Sequence, residues 1–230
     1  MLTAALLLAM RQEPSALDKA VAESTLALKN TPNIACSYKM NGTSNGSGNQ
    51  AAHFEFWRSA KKERIEITFN GEKMMKLIAN DTVRIMLFPK DKVYAEVGEP
   101  EAPEEGKEEP MEPNTLNFSF SEDMSLKLRS NPPFKVLEDK TETRDGVQIR
   151  VLQIEATKES GTGTVKGVAE FDAQKKYFIG AKLEMTGDHP GTMEIVRDKI
   201  EFGAPDAALF VIDPKEYEGF KKVSQPEGSR

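Results

Sequence analysis

The chain has one cysteine in 230 residues, Cys36, so no intrachain disulfide can form. As a small apolar side chain it reads as core. Histidine is nearly as scarce. His53 and His189 lie in different hairpins, and neither has a cysteine or histidine at ligand spacing, so a zinc site has no support. There is no Gly-x-Ser-x-Gly elbow. Residues 160–167, SGTGTVKG, are glycine-rich but lack the Gly-Lys-Ser/Thr ending of a phosphate loop, so they read as a hairpin tip. A concentrated basic patch is also missing, which argues against sequence-independent nucleic-acid binding. Long apolar runs are absent too. The opening MLTAALLLAM is ten residues, too short to span a bilayer.

That opening run resembles the apolar core of a secretory signal without its preceding basic residues. Residues 1–14 are therefore expected to be the remnant of an export leader, and the protein to be periplasmic or secreted. The formal net charge is −6, and one segment holds nearly all of it. Residues 96–113 carry eight Glu against one Lys, and the rest of the chain is close to neutral. With four prolines and dense like charge, residues 98–113 read as an extended acidic loop.

Strand signals dominate what remains. From residue 54 to 97 the text is FEFWRSAKKERIEITFNGEKMMKLIANDTVRIMLFPKDKVYAEV. Ile65, Ile67 and Phe69 alternate with Arg64, Glu66 and Thr68, the period of a half-buried strand. Asn70-Gly71 marks a tight turn. The connections are too short for crossover helices, so this is an antiparallel meander. A second meander runs from residue 134 to 202, with Asp145-Gly146 as a hairpin turn. Its apolar parity slips between Val151 and Leu152, and again between Ile195 and Val196. Such slips suggest bulges, and bulges curve sheets. Tyr177, Ile179, Ala181, Leu183 and Met185 form a long alternation. Residues 15–30 read as a helix capped by Ser15, with Leu17, Val21, Thr25 and Leu28 on one face. Residues 116–128 fit a strand or an i+4 stripe, and are read as a short strand passing into a helical turn. Residues 221–230 are a polar tail.

The residues point to a mainly β (α+β) fold with a curved antiparallel sheet, like part of a barrel, whose concave face the N-terminal helix can fill. Ten methionines, several of them in strands, suit a wall that accepts variable apolar ligands.

Five stretches together resemble the LolA/LolB-type outer-membrane lipoprotein carrier superfamily, which includes RseB-like lipoprotein-sensing domains. They are the apolar leader and helix, FEFWRSAKKERIEI, KLIANDTVRIMLFPKDKVYAEV, AEFDAQKKYFIGAKLEM and PDAALFVIDPKEYEGF. The resemblance spans roughly residues 15–220. It implies a single curved antiparallel sheet forming an unclosed half-barrel over residues 15–220, covered by the N-terminal helix and short additional helices, which binds lipoprotein acyl chains without metal or cofactor. By position, Arg58 and Arg64 match basic residues of the family, expected here at the cavity rim. Phe54, Phe56, Ile65 and Ile67 match cavity-facing ones. Phe69, Met75, Leu77, Ile85, Leu87, Ile179, Leu183 and Met185 extend that set. Two departures stand out: Ser59 follows Arg58 where the family usually has proline, and the acidic loop is extra. The expected protein is a non-catalytic monomeric carrier or sensor. Its partners would be lipid or lipoprotein acyl chains and a membrane-associated donor or acceptor, with no nucleic acid. The alternative is an interaction module of the same fold with a filled core, docking a basic partner through the acidic loop. A hydrolase with an unrecognised site is the third reading.

Overall fold

The structure, a computed structural model, describes residues 14–44, 48–98, 115–120, 126–157, 163–187 and 190–224. The apolar start (1–13), nearly all of the acidic loop (99–113), His189 and the end of the polar tail (225–230) lie outside the described residues.

One helix, α1 (Ala16–Lys29), opens the fold. Ser15 Oγ accepts from the Asp18 backbone N–H at 3.1 Å, and Asp18 returns the bond to the Ser15 N–H at 3.0 Å. This reciprocal cap satisfies two otherwise orphaned donors. The buried face is Leu17, Ala20, Ser24 and Leu28. It is rotated slightly from the stripe read in the sequence, with Val21 packing at its side.

The strands are β1 (Asn33–Ser44), β2 (Gly48–Ser59), β3 (Lys62–Phe69), β4 (Glu72–Ala79), β5 (Arg84–Phe88), β6 (Val93–Glu96), β7 (Thr115–Phe120), β8 (Leu126–Asn131), β9 (Lys135–Arg144), β10 (Val147–Thr157), β11 (Thr164–Asp172), β12 (Phe178–Met185), β13 (Gly191–Phe202) and β14 (Lys221–Lys222). Twelve of them form one sheet, in the order β14-β6-β5-β4-β3-β2-β1-β13-β12-β11-β10-β9. The two meanders thus share β1 as their common neighbour. Pairing is antiparallel except at the edge, where β14 runs parallel to β6. That strand falls in the segment read as a polar tail. β9 and β14 are not paired to each other, so the sheet is curved but unclosed.

The turn chemistry is local. Asn70-Gly71 and Asp145-Gly146 each place two successive residues at positive φ, as a two-residue hairpin turn of the I′ type requires. Curvature comes from bulges. The register skips Asp198 between β13 and β1, Ile179 between β12 and β11, Leu137 between β9 and β10, and Met74 between β4 and β3. The Asp198 bulge accounts for the parity slip in β13. In β10 both parities are buried: Leu152, Ile154 and Ala156 join the main core, while Ile149 and Val151 are buried apart from it. Close strand approach sharpens the bend. A Cβ at Gly167 would meet the Lys182 carbonyl oxygen at 1.9 Å, and one at Gly180 the Ile195 carbonyl oxygen at 2.4 Å.

The inner face is covered by α1 and by the hairpin β7–β8, which forms its own two-stranded sheet. Of the helical turn expected within residues 116–128, positions 121–125 lie outside the described residues, and Leu126 to Leu128 are strand. The hairpin's two strands pair with each other, while its side chains Phe118, Phe120, Leu126 and Leu128 enter the core.

Candidate apolar binding face

The inner wall is built by alternation. In β2, Ala52, Phe54 and Phe56 point inward; in β3, Ile65, Ile67 and Phe69; in β4, Met75, Leu77 and Ala79. The register sets Phe54 opposite Ile67, Phe56 opposite Ile65, and Leu77 opposite both Ile65 and Met86. Across the sheet, Tyr38, Phe178, Leu183 and Ile195 continue the same wall. The structure thus brings together Phe54, Phe56, Ile65, Ile67, Phe69, Met75, Leu77 and Leu183 from the expected set.

Four others stand apart. The pairing of Leu77 with Met86 gives the inner position in β5 to Met86, which places Ile85 and Leu87 on the outer face. Both are buried, but outside the main core cluster. Ile179 is the bulged residue of β12, so Phe178 takes the inner seat and is fully buried. Met185 shares the parity of Leu183 but lies at the strand end, beyond the cluster.

Aromatic rings fill the centre of the wall. Phe120 lies 4.8 Å from both Tyr38 and Phe56 and 5.9 Å from Phe54, centroid to centroid. Phe118 stacks edge-on to Phe54 at 6.1 Å and meets Phe178 at 5.9 Å. These separations are those of favourable ring pairs. The hairpin therefore occupies the volume that a ligand on this face would take. Its link to α1 includes one polar contact, the Leu126 N–H donating to Thr25 Oγ1 at 3.1 Å. The helix is tied down in turn. The Phe178 N–H donates to buried Ser24 Oγ at 2.9 Å, and the Thr31 and Tyr177 hydroxyls bond at 2.7 Å. The N–H taken by Ser24 is that of the residue beside the β12 bulge.

Burial is graded along the wall. Tyr38, Phe56, Ile65, Leu77 and Ile195 are almost fully buried. Towards the hairpin-loop end of the same strands, Met40, Phe69, Met75 and Met193 pack against the core while staying partly exposed. Three methionines thus sit on the accessible part of the face, where an adaptable thioether suits variable apolar contacts.

The two arginines expected at the rim have structural work. Arg58 is buried on the inner side. Its guanidinium bonds Glu63 Oε1 at 3.0 and 2.7 Å, and caps α1 through the Leu28 and Lys29 carbonyls at 2.9 and 3.3 Å. A cation at a helix C-terminus satisfies orphan carbonyls and the dipole together. Arg64 is on the outer face, with its guanidinium 5.6 Å from the Trp57 ring. It bonds Glu66 and the Leu209 carbonyl, the latter at 2.9 Å. Burial pushes the Glu66 carboxyl up, but hydrogen bonding and charge from Arg64 more than reverse this, so it titrates below its ordinary value. Lys76, buried beside it, pairs with Glu216. Through these contacts the C-terminal segment, with its single helical turns Ala207–Phe210 and Pro214–Tyr217, straps the outer face of β3–β6.

The sequence reading missed Tyr38, Phe118, Phe120, Phe178 and Arg197. Phe118 and Phe120 were legible as an alternating pair but not as part of a plug. Arg197 follows Met193 and Ile195 in parity, which was the available signal. Other chemistry is thin among the described residues. No cluster of three or more His, Cys, Asp or Glu is placed to hold a metal ion. Cys36 is buried, and desolvation pushes its thiol up to about 12. Two surface depressions lie off the inner face: one of about 340 Å³ by Tyr94, Tyr217 and Phe220, and one of about 200 Å³ by Val168, Lys182 and Glu184.

No protein-family model matches the chain, and no curated protein matches its sequence. Solved structures to which it is similar include the Mycobacterium tuberculosis lipoprotein LppX, at 9% identity over 81% of this chain and 96% of that one, with a TM-score of 0.37. A LolA superfamily protein from Nitrosomonas europaea is similar at 6% identity, over 85% of this chain and 97% of that one, with a TM-score of 0.33. In the Pseudomonas aeruginosa MucA/MucB complex the figures are 10%, 86% and 61%, with a TM-score of 0.40.

Proposed function

We propose that this is a non-catalytic carrier or sensor of the bacterial envelope, which holds an acyl chain against the inner face of its half-barrel in exchange for the β7–β8 hairpin. The observation that carries this reading is the hairpin itself. It fills the centre of the concave wall with Phe118 and Phe120, yet its two strands pair with each other and with no strand of the twelve-stranded sheet. Lifting it breaks side-chain contacts and a bond to α1 while leaving the ladders of the twelve-stranded sheet intact. An acyl chain replaces one set of apolar contacts with another, gaining about 0.8 kcal/mol per buried methylene. The apolar start of the chain and the resemblance to lipoprotein carriers support an exported location and an acylated partner. The domain boundaries and the monomeric state belong to the same proposal.

The test is native purification, solvent extraction and mass spectrometry of the extract, followed by titration with a fluorescent fatty-acid probe. Co-purifying lipid or saturable probe binding supports the reading. Absence of both overturns it. The dense aromatic packing favours one second reading, a filled core in an interaction module. Under it, probe binding is absent and deletion of residues 98–113 abolishes capture of a basic partner.

A further inference from the structure

Among the described residues of the inner wall, one cation lacks a counter-charge. Arg197 continues the inward parity of Met193 and Ile195 in β13, and the bulge at Asp198 follows it directly. The register sets it opposite Tyr38, whose ring is in the core. Its guanidinium reaches the Phe178 carbonyl at 3.5 Å, a long contact. A guanidinium offers five N–H donors, and among the described residues Arg197 forms no ion pair.

Arg58 shows what a provided-for arginine looks like in this core. It has two bonds to Glu63 and two to helix-end carbonyls. Arg58 and Arg197 both act on the Cys36 thiol, so they flank the same buried position. The other groups around Arg197 are neutral or already bonded. The Cys36 thiol stays protonated, with its pKa pushed up to about 12. The Tyr38 hydroxyl donates to the Phe178 carbonyl at 3.2 Å. The Tyr177 hydroxyl is held by Thr31. Asp198 is bonded to Lys39 at 2.7 Å, and Glu201 pairs with Lys199 at 2.9 Å. Half-buried charge is costly unless it is paired, and a planar guanidinium pairs best with a carboxylate or phosphate taken in fork geometry.

We infer that Arg197 receives the anionic headgroup of the ligand, so the preferred class is an acyl chain ending in a carboxylate or phosphate and not a neutral lipid. This extends the acyl-binding reading above and rests on it. From Arg197 through Ile195 to Met193 the strand offers about 13 Å of apolar wall at about 3.3 Å per residue, leading from the cation to the methionine-rich part of the face.

The test compares a fatty acid, a monoacyl phosphate and a fatty alcohol of equal chain length, each displacing a fluorescent apolar probe from the full chain. Wild type is expected to bind both anionic amphiphiles at least about ten-fold tighter than the alcohol, the discrimination one charge-assisted contact supplies. Arg197→Gln is expected to bind all three at the affinity of the alcohol, and Arg197→Lys to keep part of the preference. The two anionic arms tell a carboxylate ligand from a phosphate one. Should Arg197→Gln not fold, Arg197→Met keeps the packing of the stem and carries the same expectation. Equal binding of all three by wild type, or a preference that survives in the Gln or Met variant, overturns the role of Arg197 and leaves acyl binding standing. Failure of wild type to bind any of the three removes the acyl-binding reading, and this inference with it.

Discussion

Phe120→Ala separates a plug from an ordinary core residue. Phe120 is buried, and its ring meets four others, with centroids 4.8 to 5.9 Å away. Truncating such a ring in a core costs about 3–5 kcal/mol. If the hairpin can leave the wall while the twelve-stranded sheet stays folded, that cost falls on the closed state relative to the open one. A shift of about 3 kcal/mol raises the open fraction by about two orders of magnitude. An apolar probe that requires the open state then binds tighter by the same factor, until the open state predominates. Global stability falls by less than the full truncation cost, because unfolding begins from the open form. Fluorescent fatty-acid titration and urea denaturation on the same variant measure both quantities. The reasoning is refuted if the variant loses the full 3–5 kcal/mol in global unfolding and binds the probe no better than wild type. That pattern belongs to a core that opens only when the whole fold does.

Three further outcomes follow from the same geometry. Ser24→Val leaves the Phe178 N–H without its buried acceptor, and a calorimetric melt should show a loss of about 1–3 kcal/mol. Ile85→Ala and Leu87→Ala should lower stability in denaturant titrations while leaving probe affinity unchanged, since both side chains face away from the inner wall; a change in affinity would show that the wall has been misassigned. Cys36 should resist a thiol reagent in the native state and react once the protein unfolds. Its pKa is raised from 9.0 to about 12, so the folded state holds the proton longer than the unfolded one. Its contribution is complete below pH 9.0 and declines as pH climbs through this interval. Denaturant midpoints measured from neutral pH upward check this.

Where local chemistry decides a feature, the sequence showed it. Asn70-Gly71 and Asp145-Gly146 specify their turns because few other pairs accept two successive positive φ values. The alternation of Ile65, Ile67 and Phe69 gave the right face because its polar partners are unambiguous. The slip at Ile195 and Val196 pointed to a bulge that the register locates at Asp198. Features set by distant partners were not legible. The run from Tyr177 to Met185 looks like unbroken alternation, but the chain bulges at Ile179 and turns Phe178 inward, with the Phe178 N–H meeting Ser24 of the helix. Arg84–Phe88 is apolar on both parities, so only its pairing with β4 separates Met86 from Ile85 and Leu87. The outer parity is buried because the C-terminal segment lies over it, an arrangement held by Arg64 and Lys76. Arg58 read as a rim cation because its acceptors, the last carbonyls of α1, are assigned only once the chain is folded.

A filled concave face and a binding function are compatible because both states of the wall are apolar. Leu116, Phe118, Phe120, Leu126 and Leu128 are the side chains the hairpin contributes to the core. At about 1.5–3 kcal/mol for each buried side chain, their withdrawal costs on the order of 7–15 kcal/mol. An acyl chain of roughly a dozen methylenes, at about 0.8 kcal/mol each, recovers on the order of 10 kcal/mol. The exchange is therefore near balance, and small terms decide its direction. The Thr25–Leu126 bond favours the plug, while a counter-charge for Arg197 favours the ligand. An open face with no plug would expose Phe54, Phe56 and Tyr38 to water whenever ligand was absent, the kind of apolar surface that drives association. Under the proposed acyl-binding function, the plug keeps the unliganded protein from presenting that surface, and it sets the chain length below which a ligand cannot displace it.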